Sequence, residues 1–322
     1  MINRRSFSAS MGALALSPPV FAQGSYPQRP ITLVVPFSAG SVVDVQARLV
    51  AKALSENLGQ PFVIENRVGV SGSIGAEFVA RAAPDGYTLL VGTQGTQGTN
   101  STLFKNIRYD PVKDFVAIHG LTGNANVLVS HPGRKWKTVA EVIELGRQQP
   151  GKLNFGYGGN GTSAHLCLEL LQTQTGARFN QVPYKASTAA LVDLIAGNLD
   201  LLFDYVQTSR AHIRDGKIAA LAVTSTSRLA VLPDVPTMAE AGIPSVVAMN
   251  WGGVFAPANT PAPIVQRLSD AVGHALNSPE VTASLEAVSS VKMGMPHEVF
   301  QPFVATEAAK WAEVIRKSGA SL

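Results

Sequence analysis

Short, nearly continuous apolar runs alternate along this chain with stretches in which apolar residues recur every third or fourth position. Residues 31–35, closed by Pro36, predict a buried strand. Val45, Leu49 and Ala53, together with Val50, Leu54 and Leu58, predict a helix ended by Gly59 and Pro61. Strands are predicted again at 62–65 and 87–91. Between them lie a short helix carrying Ile74, Phe78, Val79 and Ala82 and a turn at Pro84, Asp85 and Gly86. Residues 92–104, rich in Gly and Thr, predict a loop.

A second series begins at 127–130. Thr138 and Glu141 have capping-box spacing ahead of a helix with Val142, Ile143 and Leu145. Further strands are predicted at 153–155, 181–184, 199–203 and 218–224, with helices after 156–163 and around Leu191, Leu194 and Ile195. Thr237 and Glu240 repeat the box, and 254–256 returns the chain to the first series. Thr260-Pro261 and Ser278-Pro279 predict two more helix starts. The last helix carries Phe303, Val304, Trp311, Val314 and Ile315. This alternation predicts an α/β fold of mostly parallel sheets flanked by helices, with ligands bound at the carboxyl ends of the strands.

With 322 residues, 46% of them hydrophobic and 15% charged, the chain has material for two cores. It contains no apolar run of about 18 residues, the length that spans a membrane. Arg4 and Arg5, a short apolar stretch at 11–16 and the small-residue site Val20-Phe21-Ala22 predict an export signal over residues 1–22, cleaved near Ala22. Its loss removes two of the charges behind the net +4. The remaining basic residues are scattered, so nucleic acid is not an expected partner. Cys167, the single cysteine, permits no internal disulfide and sits among leucines as a packing residue.

The stretch 153–171 holds Gly156, Gly158 and Gly161 at the spacing G-x-G-x-x-G. A dinucleotide clamp also needs an acid about 20 residues on, for the ribose. Here the next strand ends in Tyr184-Lys185, so no cofactor is expected. "SGSIG" at 71–75 misses the G-x-S-x-G nucleophile elbow, and the six histidines are scattered. Metal-ligand spacings and paired carboxylates are lacking too, so neither a metal site nor a catalytic residue is expected. What recurs is a strand, a small-polar loop and a helix start, at 37–41, 92–100 and 156–163. Unpaired N–H groups at a helix start, with glycines and hydroxyls nearby, bind anions without an arginine.

The stretches "RPITLVVPFSAG", "ARLVAKALSENLGQPFVIENR", "AAPDGYTLLVG", "PGKLNFGYGGNG", "VPYKAS", "LDLLFDYV" and "LAVTSTSRLAVLPDVPTMAEAG" resemble the Bug family, the periplasmic solute receptors of tripartite tricarboxylate transporters. The likeness runs from Tyr26 to the last helix. It implies a two-lobed flytrap that closes over a small carboxylate in the periplasm and delivers it, as a monomer, to membrane permease subunits. The first lobe would be 23–123 plus 250–322 and the second 124–249. The family's ligand loops match Phe37, Ser38, Ala39, Gly40 and Ser41; Thr93, Gln94, Thr96 and Gln97; and Tyr157, Gly158, Gly159, Asn160, Thr162 and Ser163, with an acidic position at Asp204. The family usually has a second glycine where Ser41 stands, often histidine in place of Gln97, and a small residue in place of Tyr157. If Tyr157 and Phe37 faced each other across the cleft, a planar ring would fit between them, which favours an aromatic mono- or dicarboxylate such as a benzoate or terephthalate. The alternatives are an exported α/β hydrolase acting on a small ester and a structural or adhesion module.

Overall fold

The computed structural model describes residues 26–159, 161–287 and 290–319. The predicted export signal, with its cleavage point near Ala22, and Asn160 lie outside the described residues.

The first series folds as β1 (Ile31–Val35), α1 (Val42–Leu58), β2 (Phe62–Asn66), α2 (Ser73–Ala80) and β3 (Thr88–Thr93). Four of the five β1 residues have no exposed surface at all, as a strand covered on both faces requires. The ends of α1 are fixed locally. The Ser41 side chain accepts from the Asp44 N–H, and Gly59 takes the left-handed conformation at φ 68°. A π-helical turn (Gly95–Thr99) and α3 (Asn100–Leu103) then replace the predicted loop. Their apolar content is too low for periodicity to reveal a helix, and the wide turn forms where β3 ends against the interior.

Next comes β4 (Phe115–Ser130), of which only the last four residues were expected as a strand. Gly120, Thr122, Gly123, Asn124 and Asn126 break its apolar run, and tertiary pairing overrides that pattern. The second series is α4 (Val139–Gln148), β5 (Asn154–Tyr157), α5 (Ser163–Thr175), β6 (Asn180–Pro183), α6 (Ser187–Ile195), β7 (Leu201–Tyr205), α7 (Val206–Arg214) and β8 (Ala219–Val223). The capping box of α4 forms as expected. The second box also makes both hydrogen bonds, Thr237 N to Glu240 and Glu240 N to Thr237. It caps only a turn, because Gly242 and Pro244 follow at once.

The chain returns through β9 (Met249–Pro257), then α8 (Ala262–Leu276), α9 (Pro279–Ala287), β10 (Val291–Pro296) and α10 (His297–Ser318). Ser278 caps α9, but Thr260 does not cap α8: its hydroxyl donates back to the Pro257 carbonyl.

The strands pair in the order β2-β1-β3-β9-β4-β7-β5-β6, with β8 and β10 also on β4. Pairing is parallel within β2-β1-β3 and β7-β5-β6 and antiparallel wherever β4 or β9 takes part. The parallel expectation therefore holds for the outer strands of a mixed sheet. Residues 115–125 of β4 pair with β9, whereas 126–130 pair with β7. One long strand thus belongs to both lobes of an α/β fold. One apolar cluster joins β1 and β3 to α1 and α8 around Leu33, Leu54, Leu89 and Leu268. Another surrounds Phe155, Leu168 and Phe203, and it includes Trp311, Val314 and Ile315 of α10. The last helix therefore starts on the first lobe and ends in the core of the second.

Candidate functional site

The carboxyl ends of β1, β3 and β7 and the loop after β5 converge on one cleft. It consists of a cavity of about 330 Å³ and a second of about 230 Å³, which share Val43, Thr93, Tyr205 and Asn250. The larger is lined by Phe37, Ser71, Gln94, Gly95, Thr99 and Asn100 from one side and by Gly161, Thr162, Ser163 and Leu166 from the other. No Lys, Arg, Asp or Glu lines either cavity. Whatever binds here meets neutral donors and backbone dipoles.

The third predicted loop forms a helix start of the expected kind. Thr162 is the N-cap of α5, its hydroxyl accepting from His165 N–H and donating to the Gly159 carbonyl. Gly161 N–H donates to His165 Nδ1. That leaves the first-turn N–H groups of Ser163 and Ala164 for an incoming anion. The Ser163 hydroxyl accepts from Asn126 Nδ2 at 2.7 Å, so its partner is an amide and not a histidine base. The lone thiol of Cys167 lies behind Ser163, fully buried, and burial pushes its pKa up to about 12. It packs in the core, as expected.

The second loop contributes in part. Thr93 and Gln94 face the cleft. Gln94 is 3% exposed, and among the described residues its Nε2 has no acceptor. Thr96 and Gln97, both expected on the site, are fully buried behind this wall. Thr96 Oγ1 accepts from Thr93 N–H, and the Thr96 carbonyl accepts from the Tyr109 hydroxyl. The helical winding of 95–103 is the cause: it turns residues 96 and 97 inward while Gly95, Thr99 and Asn100 face the cavity.

In the first loop only Phe37 lines the cleft. Ser38, Ala39 and Gly40 are exposed at the tip. The helix-start donors here are already satisfied from within, because Gly40 N–H donates to the Asp44 carboxylate and Ser41 caps α1. Arg48 first, then Asn66 and the Gly40 amide, hold the Asp44 pKa down to about 2. An internal carboxylate thus occupies the place expected for an external one.

Tyr157 faces the interior. Side chains alternate along a strand, so Tyr157 shares a face with fully buried Phe155. It is 4% exposed, and its ring stacks on His165 at 4.6 Å between centroids. Phe37 lines the larger cavity and Tyr157 lines neither. Asp204 also lies outside the lining. Its Oδ2 accepts from Thr208 and Ser209, tying β7 to the start of α7.

Gly158 and Gly159 do not line the cavities either. A Cβ on Gly158 would come within 2.6 Å of the Ser187 backbone N, so this glycine permits close approach to the start of α6. Gly158→Ala is expected to lose about 1–3 kcal/mol of stability by overpacking while the folded protein keeps its ligand affinity. Thermal melts paired with calorimetry check this, and an intact melting temperature with lost affinity would return Gly158 to the ligand.

Ser71, Tyr205 and Asn250 escaped the sequence reading, and Thr99 and Asn100 entered it only as the end of the 92–100 loop. Tyr205 carried a signal, standing just past the predicted strand 199–203. Its hydroxyl accepts from Asn250 Nδ2 at 3.2 Å, and burial raises its pKa, so the phenol stays neutral with its proton free to donate. Among the described residues no three His, Cys, Asp or Glu side chains gather as metal ligands. None of the helices among those residues is long and apolar enough to cross a membrane.

Residues 46–320 match the family model described as the tripartite tricarboxylate transporter family receptor. The chain is 37% identical to the protein BugT of Bordetella pertussis over 98% of its own length and 96% of that protein. Among solved structures it is similar to R. palustris Rpa4515 with adipate, at 38% identity and a TM-score of 0.70, covering 91% and 98% of the two chains. It is likewise similar to MatC from Rhodopseudomonas palustris with bound malate, at 34% identity and a TM-score of 0.68, covering 90% and 100%.

Proposed function

From the premise that the chain belongs to the tripartite tricarboxylate transporter receptor family, and is a solute-binding receptor rather than an enzyme, we propose that its cleft captures a small mono- or dicarboxylate. The observation that carries this is Gln94 Nε2, a buried donor without an acceptor, on a wall that has no charged side chain. A carboxylate leaving water must have its oxygens met by donors. Gln94 and Thr93 supply them from one side, and the start of α5 and the Tyr205 hydroxyl from the other. Lobe closure joins the two sets. The lobes divide as 23–123 plus 250–322 and 124–249, with the end of α10 serving the second core. The mature receptor works in the periplasm after loss of residues 1–22, as a monomer that hands its ligand to the permease subunits of a tripartite tricarboxylate-type transporter.

The aromatic preference expected from Phe37 and Tyr157 loses its second ring. Phe37, Phe104 and Tyr205 remain along the cleft. Rpa4515 and MatC are described with aliphatic diacids, adipate and malate. We therefore favour an aliphatic dicarboxylate. Calorimetry should rank adipate above terephthalate and benzoate. Tighter binding of terephthalate would restore the aromatic reading, with Phe104 and Tyr205 in place of Tyr157.

A further inference from the structure

The smaller cavity continues the cleft away from α5, and four residues from three separate parts of the sequence are joined there in one hydrogen-bonded relay. Thr122 on β4 donates from Oγ1 to Gln46 Oε1 on α1 at 3.2 Å. Gln46 Nε2 donates to Ser290 Oγ at 3.1 Å. Ser290 in turn donates to Asn124 Oδ1 at 2.7 Å. Thr122 and Ser290 are buried, while Gln46 and Asn124 are half-buried at the cavity wall. Each hydroxyl has one proton, and Ser290 uses its proton on Asn124. That bond fixes which way the Asn124 amide faces. Among the described residues neither of its amide hydrogens has a protein acceptor, and the second Gln46 amide hydrogen is in the same position.

We propose that Asn124 and Gln46, locked by Ser290 and Thr122, form a second, amide-lined subsite that receives the distal carboxylate of the ligand. The proposal rests on the carboxylate reading of the cleft and adds which residues read the far end. An unlocked amide rotates to offer either its oxygen or its nitrogen. The relay removes that freedom, so the wall turns its amide hydrogens toward a ligand oxygen. Tyr205 and Asn250, shared by both cavities, stand between the two ends. Sequence spacing offers no hint of this site, because its members come from α1, β4 and the residue before β10.

Adipate, hexanoate and 6-aminohexanoate are the probes, since they share a six-carbon chain and differ only at the far end. Wild type should bind adipate more tightly than either of the others. Asn124→Asp puts a carboxylate opposite the distal carboxylate and should lower adipate affinity about 100-fold, leaving hexanoate unchanged. Gln46→Glu should act in the same direction. Ser290→Ala frees both amides and should reduce the adipate-to-hexanoate affinity ratio about tenfold without moving hexanoate itself, a change that general loosening does not produce. Equal effects on both probes in all three variants, or none, would overturn the subsite while the carboxylate reading stands. Tighter binding of 6-aminohexanoate than adipate would mean that the relay runs the other way, and would also overturn it. If neither adipate nor hexanoate binds wild type, the carboxylate reading falls and the subsite with it.

Discussion

Gln94→Leu is expected to weaken carboxylate binding about 10- to 100-fold and, at the same time, to raise the melting temperature of the unliganded protein. The two effects have one cause. Gln94 is 3% exposed, and its Nε2 has no acceptor among the described residues. A desolvated donor left unpaired costs about 1–3 kcal/mol. A leucine of similar size removes that cost in the empty protein, and a gain of about 1 kcal/mol corresponds to about 2 °C for a chain of this size. In the complex the donor meets a ligand oxygen, and a hydrogen bond to a charged group is worth about 1.5–3 kcal/mol. The opposite signs separate a binding role from a packing role. Melts with and without ligand, together with calorimetry, read both. Unchanged affinity would assign Gln94 to packing alone.

The legibility of this protein followed the range of the interactions involved. The body and end of α1 were visible because their signals are local: a regular apolar stripe from Val45 to Leu58, with Gly59 after it. The start of α5 was visible for the same reason, with Thr162 as its cap. By contrast β4 owes its length to pairing with β9, β7 and β8, which no window of its own polar-interrupted sequence contains. Of the site, the positions just past strand ends could be read, and Phe37, Thr93, Gln94, Thr162 and Ser163 do line the cleft. Tyr157 lies on the core face, as strand alternation from Phe155 already implied. Thr96 and Gln97 turned inward because a π-helical turn, not a loop, follows β3. Asn250 and Ser71 reach the cleft only through tertiary folding.

Glu307→Ala should produce the largest loss of stability, about 3–5 kcal/mol, because it strips the partner from three donors at once. Glu307 lies on α10 and is 7% exposed. Its Oε2 accepts from Trp251 Nε1 at 3.2 Å and from Trp311 Nε1 at 2.9 Å. Its Oε1 pairs with Lys310, whose ammonium also donates to the Val247 carbonyl at 3.2 Å. Trp251 belongs to β9 and lines the cleft, while Trp311 sits in the core of the second lobe. One carboxylate therefore ties the return strand, the last helix and both lobes together. Removing it leaves two buried indole N–H groups unpaired and a half-buried ammonium with only the Val247 carbonyl as acceptor. Glu307→Gln keeps one acceptor oxygen for the indoles and should lose clearly less. Urea denaturation gives both values from midpoint and slope. A loss below about 1 kcal/mol for the alanine variant would mean that solvent replaces the carboxylate and that α10 is held by apolar packing alone.

The central claim is that this cleft closes on a carboxylate through neutral donors, and a thermal-shift titration of the mature wild-type protein tests it most directly. Adipate, malate, benzoate and terephthalate are titrated beside dimethyl adipate, which keeps the length of adipate and has no charge. At 100 times its dissociation constant, a bound acid should stabilise the fold by about 2.7 kcal/mol, whereas the diester should leave the melting curve in place and remain unhydrolysed. A melting temperature that none of the acids moves, or a diester that shifts it as far as adipate does, would contradict the account.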